Sequence, residues 1–252
     1  MPEEDRSQGA VHEPAVAAEA LVLVFAKVPR PGGCKSRLAA TIGDEAAAQL
    51  AAAFLADTLT AARASRGAVV LYGNHADAHA FPPQLRAGVT YEHQGDGDLG
   101  ARLARGFRWG FARGARAVLA IGADTPQITP ALIDTAIAAA CAGSAVLGPA
   151  TDGGYYLLAL PAGFPLSGPI FSDPDWGGSE VLATTRAALA AAPCPWRLLE
   201  PLTDIDRESD LAVLRVPATN ATLSHTAPVL ARLGAPGNAA EGMDGTGSPP
   251  VP

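Results

Sequence analysis

The residues best suited to chemistry in this chain are carboxylates that follow apolar runs, and a knot of cations in an otherwise acidic sequence. Ala117-Val118-Leu119-Ala120-Ile121-Gly122-Ala123-Asp124-Thr125-Pro126 reads as a strand buried on both faces, with Asp124 just past its carboxyl end. Open α/β sheets bind ligands along that edge, and a carboxylate there suits a divalent metal held against phosphate oxygens. The plainer account is a turn before Thr125-Pro126, because Asp is common in turns.

A second stretch reads FAKVPRPGGCKSRL and places Lys27, Arg30, Lys35 and Arg37 within one loop. Cations beside Gly32 and Gly33, directly after a first strand, suggest a cradle for phosphates built from side chains and backbone N–H groups. A Walker loop is excluded, since Cys34 stands where that motif needs glycine before its lysine. A solvated loop with incidental charge is the competing account.

Later in the chain come Thr151-Asp152-Gly153-Gly154-Tyr155-Tyr156 and Thr203-Asp204-Ile205-Asp206, with Asp210 beyond. Asp152 beside two glycines lets backbone approach a ligand closely, although Asp-Gly also makes a good hairpin turn. Asp206 as the N-cap of a short last helix is the bland reading. Asp204, two residues earlier on an extended segment, faces the same way. The pair could complete a magnesium site with Asp124, since magnesium takes one or two carboxylates plus substrate phosphates. Trp176 and Phe171, near Asp173 and Asp175, offer aromatic stacking for a sugar or base, with half-buried packing the alternative.

Gly95, Gly97 and Gly100 match G-x-G-x-x-G between a strand and a helix. The match is discounted as a dinucleotide fingerprint, which belongs on the first strand–helix turn; Asp96 and Asp98 would also repel a pyrophosphate. A turn ending in an Asp98 N-cap explains the glycines, and a ligand contact through Gln94 or the backbone near Leu99-Gly100 stays open. His75, His79 and His93 lack metal-ligand spacing and read as surface residues.

These residues need a scaffold of alternating strands and helices. Strands are expected over 20–26, 68–72, 89–92, 117–122, 145–148, 154–160 and 196–199. Helices are expected from Gly43-Asp44-Glu45 to before Gly67, over 98–111, after the Thr129-Pro130 start, over 177–192 and over 208–214. The pattern predicts a mostly parallel sheet with helices on both faces. One domain over 20–217 is expected between a disordered N-terminal tail, 1–19, and a disordered Pro/Gly/Ala/Ser-rich tail, 218–252.

The chain has 252 residues and a net charge of −7, which argues against a general nucleic-acid binder while leaving room for a local cationic pocket. Cys34, Cys141 and Cys194 are widely spaced and form no metal-type pair. The N-terminus lacks the charge pattern of a secretory signal, and no apolar run reaches the roughly 20 residues of a membrane span. A cytoplasmic protein without membrane or nucleic-acid partners is expected.

Taken together, FAKVPRPGGCKSRL, QGDGDLGARL, IGADTP, LGPATDGGYYLLAL, FSDPDWGGSEVLATT and LTDIDRESDL resemble, in order, the rSAM/selenodomain-associated transferase family. These are arsenosugar-biosynthesis-type glycosyltransferases of the nucleotide-diphospho-sugar transferase superfamily. The resemblance covers about residues 20–215 and implies a glycosyltransferase A-like (Rossmann-like) three-layer α/β/α fold. It implies that Lys35 and Arg37, with Lys27, Gly32, Gly33 and Gly100, bind the nucleotide phosphates. Ser36 stands where threonine is more usual. Asp124 is implied as metal ligand; with no Asp-x-Asp in IGADTP, the second ligand must come from Asp204 or Asp206. Asp152 would contact donor sugar or acceptor, and Gly153, Gly154, Tyr155, Trp176 and Glu180 would line that side.

The resemblance thus implies metal-assisted transfer with Mg2+ or Mn2+, Asp124, Asp152 and Lys35 being catalytic. A nucleotide sugar would be donor and a small molecule acceptor, and the reading admits a homodimer. Asp152 and Asp175 are the candidates for a general base. The alternative is a nucleotidyltransferase similar to molybdenum-cofactor or phospholactate guanylyltransferases. It would take a nucleoside triphosphate and a phosphorylated acceptor, which Arg102 and Arg105 could bind, and release pyrophosphate. A nucleotide-binding regulatory module is the non-enzymatic reading.

Overall fold

Short runs of Val, Leu, Ile and Ala become strands because alternate residues can be buried on opposite faces. In the computed structural model, which describes residues 19–172, 176, 180–216 and 222–234, the first strand shows this directly. Val22 and Val24 enter the apolar layer on one side of the sheet, and Leu21 and Leu23 enter the layer on the other.

The seven strands are β1 (Ala20–Ala26), β2 (Ala68–Gly73), β3 (Thr90–His93), β4 (Ala117–Gly122), β5 (Ala145–Pro149), β6 (Tyr155–Pro161) and β7 (Trp196–Leu198). They form one sheet in the order β3-β2-β1-β4-β6-β5-β7. Pairings within β3-β2-β1-β4 and between β5 and β7 are parallel. Strand β6 runs against both of its neighbours, β4 and β5. The mostly parallel α/β sheet expected from the sequence is therefore present, with one reversal that periodicity alone did not signal.

The helices are α1 (Ser36–Ile42), α2 (Asp44–Arg63), α3 (Pro83–Arg86), α4 (Leu99–Phe111), α5 (Pro130–Cys141), α6 (Val181–Ala191), α7 (Leu211–Leu214) and α8 (Thr226–Leu233). Two starts follow the expected chemistry. The Asp98 carboxylate accepts from the Ala101 amide at 2.8 Å, and the Thr129 hydroxyl accepts from the Leu132 amide at 3.3 Å ahead of Pro130. Helices α2 and α5 cover one face of the sheet, and α4 and α6 the other. A third apolar cluster joins Leu38, Leu50, Phe54, Ile205, Leu211, Leu214, Leu223, Val229 and Leu230 at one end of the molecule.

Several expectations are corrected. Helix α1 begins inside the stretch expected to stay a loop to Arg37. The tail expected to be disordered from 218 includes α8, whose Val229 and Leu230, with Leu223 ahead of it, are buried in the third cluster. Three apolar residues in a Pro/Ala-rich segment are enough when a matching surface already exists. The rest of both expected tails, 1–18, 218–221 and 235–252, lies outside the described residues, as do Asp173, Asp175 and residues 177–179 of the expected 177–192 helix. Asp206 does not cap the last helix. The carboxylate of Asp210 reaches back to the amides of Asp206 and Arg207, at 3.0 and 2.7 Å, which frees the Asp206 side chain.

Helix α4 lies so close to the sheet that its glycines have packing roles. A Cβ at Gly110 would sit 2.6 Å from the Val118 Cγ2 on β4. Alanine would gain about 1 kcal/mol of helix propensity, but overpacking against a stiff β-branched neighbour costs about 1–3 kcal/mol. Gly110→Ala is expected to lower Tm. An unchanged or raised Tm in a thermal melt would mean that α4 is not held this close.

Candidate active site

The sheet order sets the site. Strands β1 and β4 are parallel neighbours with Phe25 opposite Gly122, so the loop after β1 and Asp124 leave the same edge side by side. The segment after β7 returns to that edge: the Leu202 amide donates to Pro149 O at 3.1 Å and the Ile205 amide to Asp124 O at 3.0 Å. Asp204 and Asp206, which flank Ile205, are thereby brought to β4 from far along the chain.

Carboxylate oxygens of Asp124, Asp204 and Asp206 lie within 4.8 Å of one another. The Lys35 ammonium joins them, with Nζ 2.7 Å from Asp124 Oδ1 and 3.0 Å from Asp206 Oδ1, and its side chain only 4% exposed. Arg37 Nη1 lies 3.3 Å from Asp206 Oδ2 and remains largely open to solvent. The Thr125 hydroxyl donates to Asp204 Oδ1 at 3.4 Å. Gln127 Nε2 donates to the Thr203 carbonyl at 2.6 Å, anchoring the approach to Asp204. Lys35 itself has φ 51°, the left-handed region, which costs a residue with a Cβ about 1 kcal/mol or more. Among the described residues it is the one non-glycine there. Strain of this kind persists where surrounding contacts over-determine it.

The electrostatics follow from crowding. Burial raises the Asp204 carboxyl from 3.8 to about 7, Lys35 opposes the rise, and Asp124, Asp206 and Asp152 add to it. For Lys35, burial works against the ammonium, but Asp124, Asp204 and Asp206 outweigh it and the pKa is raised. Three clustered oxygen donors, one with its pKa raised by burial first and by neighbouring carboxylates second, fit a hard divalent cation such as Mg2+ or Mn2+. Asp124, Asp204 and Asp206 are the residues that would hold it.

The other expected site residues fall into two groups. Asp152 belongs with the cluster: its charge reaches Asp204. It lies on the β5–β6 turn, where Asp152 Oδ1 accepts from the Gly154 amide at 3.0 Å and the Ala150 amide donates to Gly154 O. The expected hairpin turn is therefore present, with the Asp152 carboxylate near enough to Asp204 for its charge to act there. Gly153 O accepts from the Leu182 amide at 2.9 Å, which sets the start of α6, with Glu180 just before it, against this turn. Tyr155 packs toward the α4 side and Tyr156 toward the other, where its hydroxyl donates to Glu200 O. Gly32 has φ 67° and Gly33 lies against Arg30, whose carbonyl accepts the Gly33 amide at 3.0 Å. Lys27 lies near enough for its charge to act on Cys34, a half-buried thiol that burial pushes up.

Gly100, in the first turn of α4, packs against other parts of the chain. Its missing side chain leaves room for the Phe171 carbonyl and the Trp176 ring, so the chain's own packing accounts for this glycine. Arg102 and Arg105 are also committed. Arg102 Nε donates to Gly97 O at 2.9 Å, and Arg105 donates to Gln94 O and, at 2.9 Å, to Asp96 O. Sequence reasoning did not single out Thr125, Gln127 or the reach of Asp210. Thr125 adjoins Asp124 and could have been noticed; nothing local marks Gln127.

The fold is of the glycosyltransferase A-like α/β/α class. Comparison with known proteins places the chain beside members of that class. Residues 55–178 match a family described as "Uncharacterized protein conserved in bacteria (DUF2064)". A protein from Desulfovibrio desulfuricans G20, provisionally designated a nucleotide-diphospho-sugar transferase, has a crystal structure similar to this one. The two are 28% identical with a TM-score of 0.79, over 85% of this chain and 95% of that one. A nucleotidyl transferase from Methanothermobacter thermautotrophicus is similar in fold at 16% identity and TM-score 0.51, over 81% and 98% of the two chains. CMP:2-keto-3-deoxy-manno-octonic acid synthetase, solved with CTP, is similar in fold at 14% identity and TM-score 0.50, over 81% and 99%. No protein of curated function matches the sequence.

The raised Asp204 pKa has a signed consequence for the metal-free protein. The folded chain holds this proton more tightly than the unfolded chain, so the group's contribution to stability falls as pH rises from about 4 through 7. Lys35, raised above its usual alkaline value, contributes nothing to that slope in this window. In chelator, Tm is expected to decline between pH 5 and pH 8, and Asp204→Asn to remove most of the decline and raise Tm at pH 8 by at least about 2 °C. A decline of the same size in the variant, measured by calorimetry, would contradict this assignment.

Proposed function

We propose that the protein is a metal-dependent transferase that moves a sugar from a nucleotide sugar to a small-molecule acceptor. The observation that carries the reading is the convergence of Asp124, Asp204 and Asp206 with Lys35 and Arg37 at the edge where β1 and β4 end. Paired opposite charges of this kind suit a diphosphate and its counter-ion together, because neither set alone would tolerate the other's absence. The 28% identical neighbour designated a nucleotide-diphospho-sugar transferase supports the same reading.

When bound, Mg2+ or Mn2+ would supply Lewis-acid stabilisation of the negative charge that gathers on the leaving nucleoside diphosphate. Lys35 and Arg37 neutralise phosphate oxygens in the same place, and Gly32 and Gly33 let the loop backbone approach them, with Lys27 adding long-range attraction. The acceptor hydroxyl attacks the anomeric carbon as its bond to the diphosphate oxygen breaks. Asp152, on the exposed turn beside the cluster, takes the acceptor's proton. Gly153, Gly154, Tyr155, Trp176 and Glu180 border the space for sugar and acceptor. One observation favours glycosyl over nucleotidyl transfer. A phosphorylated acceptor needs cations, and Arg102 and Arg105 already hold backbone carbonyls of the Gln94–Gly97 loop. No helix among the described residues is long and apolar enough to cross a membrane, and the cysteines there are unbridged. Both features accord with the proposed cytoplasmic setting.

Incubation with a panel of nucleotide sugars, nucleoside triphosphates and mixed small acceptors, with Mn2+ present, tests the reading. Nucleoside diphosphate from a sugar nucleotide is the expected product; pyrophosphate from a triphosphate would replace this reading with nucleotidyl transfer. Asp124→Asn is expected to keep the fold and lower turnover about a hundred- to a thousand-fold. Wild-type turnover in that variant would remove Asp124 from the mechanism.

A further inference from the structure

Asp57 lies on α2, away from the carboxylate cluster, yet it is 4% exposed and makes no ion pair among the described residues. Among the described residues, three hydrogen bonds reach it from the start of α8. Asp57 Oδ1 accepts from the His225 amide at 3.0 Å and the Ser224 hydroxyl at 3.3 Å, and Oδ2 accepts from the Thr226 amide at 2.9 Å. A carboxylate from one helix thus serves as the N-terminal cap of another. Burying a charge is costly unless it is fully hydrogen-bonded. The arrangement therefore holds together or fails as a unit.

The same helix reaches the site through the third apolar cluster. Val229 and Leu230 of α8, with Leu223 before it, share that cluster with two residues next to the site's charged groups. Leu38 lies on α1, one residue past Arg37 and three past Lys35. Ile205 lies between Asp204 and Asp206, and its side chain is fully buried while its amide holds the Asp124 carbonyl. Helix α1 also packs against the 208–210 turn that carries Asp210. Leu38, beside the cations, and Ile205, between two of the three carboxylates, therefore share one small apolar core with α8.

We infer that α8, hung on Asp57, is the element that positions the Asp204–Asp206 loop against Lys35 and Arg37, with Asp57 as a positioning residue. The inference rests on the site reading above for its functional meaning, but its physical content is separate. When the Asp57 cap is removed, α8 loosens, Ile205 loses its packing, and the loop no longer holds its place beside β4.

The test uses the full chain and two readouts, hydrogen exchange at the amides of Ile205 and Asp206 and the Kd for Mn2+ without nucleotide. Asp57→Ala is expected to speed exchange at both amides at least about tenfold and to weaken Mn2+ binding by about tenfold, the scale seen when groups supporting metal ligands are lost. Asp57→Asn, which keeps one carbonyl acceptor, should fall between it and wild type. Leu189→Ala, a fully buried deletion on the α6 side of the sheet, controls for general destabilisation and should leave both readouts at wild-type values. Wild-type exchange at Ile205 in Asp57→Ala would overturn the inference, as would equal effects from Leu189→Ala. If wild type itself binds no Mn2+ while the exchange effect persists, the metal assignment fails and the positioning role stands.

Discussion

Three carboxylates within 4.8 Å of one another would repel strongly if nothing stood among them, and the ammonium of Lys35 is what stands there. At such distances like charges interact by several kcal/mol even at an effective dielectric near 20, more than a single loop's backbone hydrogen bonds return. The lysine pairs with Asp206, 171 positions further along the sequence, and its backbone is held in a conformation that lysine avoids. The buried amine and the raised Asp204 pKa, for which burial is the larger cause and the neighbouring carboxylates the smaller, show that the chain both buries and concentrates charge at one sheet edge. A protein without need of that concentration would relax it, since replacing such a cluster by apolar groups is often neutral or stabilising. That imbalance is the physical argument for function.

Topology makes the concentration achievable. Because β1 and β4 are adjacent and parallel, two loops far apart in sequence leave the sheet together. The reversed strand β6 places the Asp152 turn on the same side, since a hairpin returns the chain to the edge it has just left. The parallel β7 then delivers Leu202 beside Ala150 and carries Asp204 back to β4. Asp124, Asp152 and the Asp204–Asp206 pair arrive by three different connections, so no single loop's flexibility decides the geometry.

Much of this was legible in the residues. Strands buried on both faces announce themselves as unbroken apolar runs, and the Asp98 and Thr129 caps are local chemistry that needs no tertiary partner. Asp124, Asp204 and Asp206 could be grouped because carboxylates at strand ends carry a positional meaning in α/β sheets. What failed depended on distant contacts. Helix α8 has only two buried apolar residues, Val229 and Leu230, and a proline, too little signal by itself; it is held by Asp57 and by the cluster that includes Leu50 and Phe54. Asp206 looked like a cap because Asp before a helix usually is one, yet Asp210 satisfies those amides from the other direction. The direction of β6 was equally unreadable, since an apolar strand has the same composition whichever way it runs.

The arginines on α4 show how the same residue type can serve opposite ends. In sequence, Arg102 and Arg105 look like spare cations next to a glycine-rich turn, ready for an anionic substrate. In the fold, three carbonyls of the Gln94–Gly97 segment take them up, and the positive φ at Gly95 and Gly97 turns those carbonyls toward the helix. A Cβ at Gly95 would strike the Arg105 guanidinium, so the glycine and the arginine are chosen together. With those charges committed, the cations that touch the carboxylates among the described residues are Lys35 and Arg37. Under the proposed reading, that pair serves one diphosphate and leaves an uncharged hydroxyl as the better fit for the second substrate, beside Asp152.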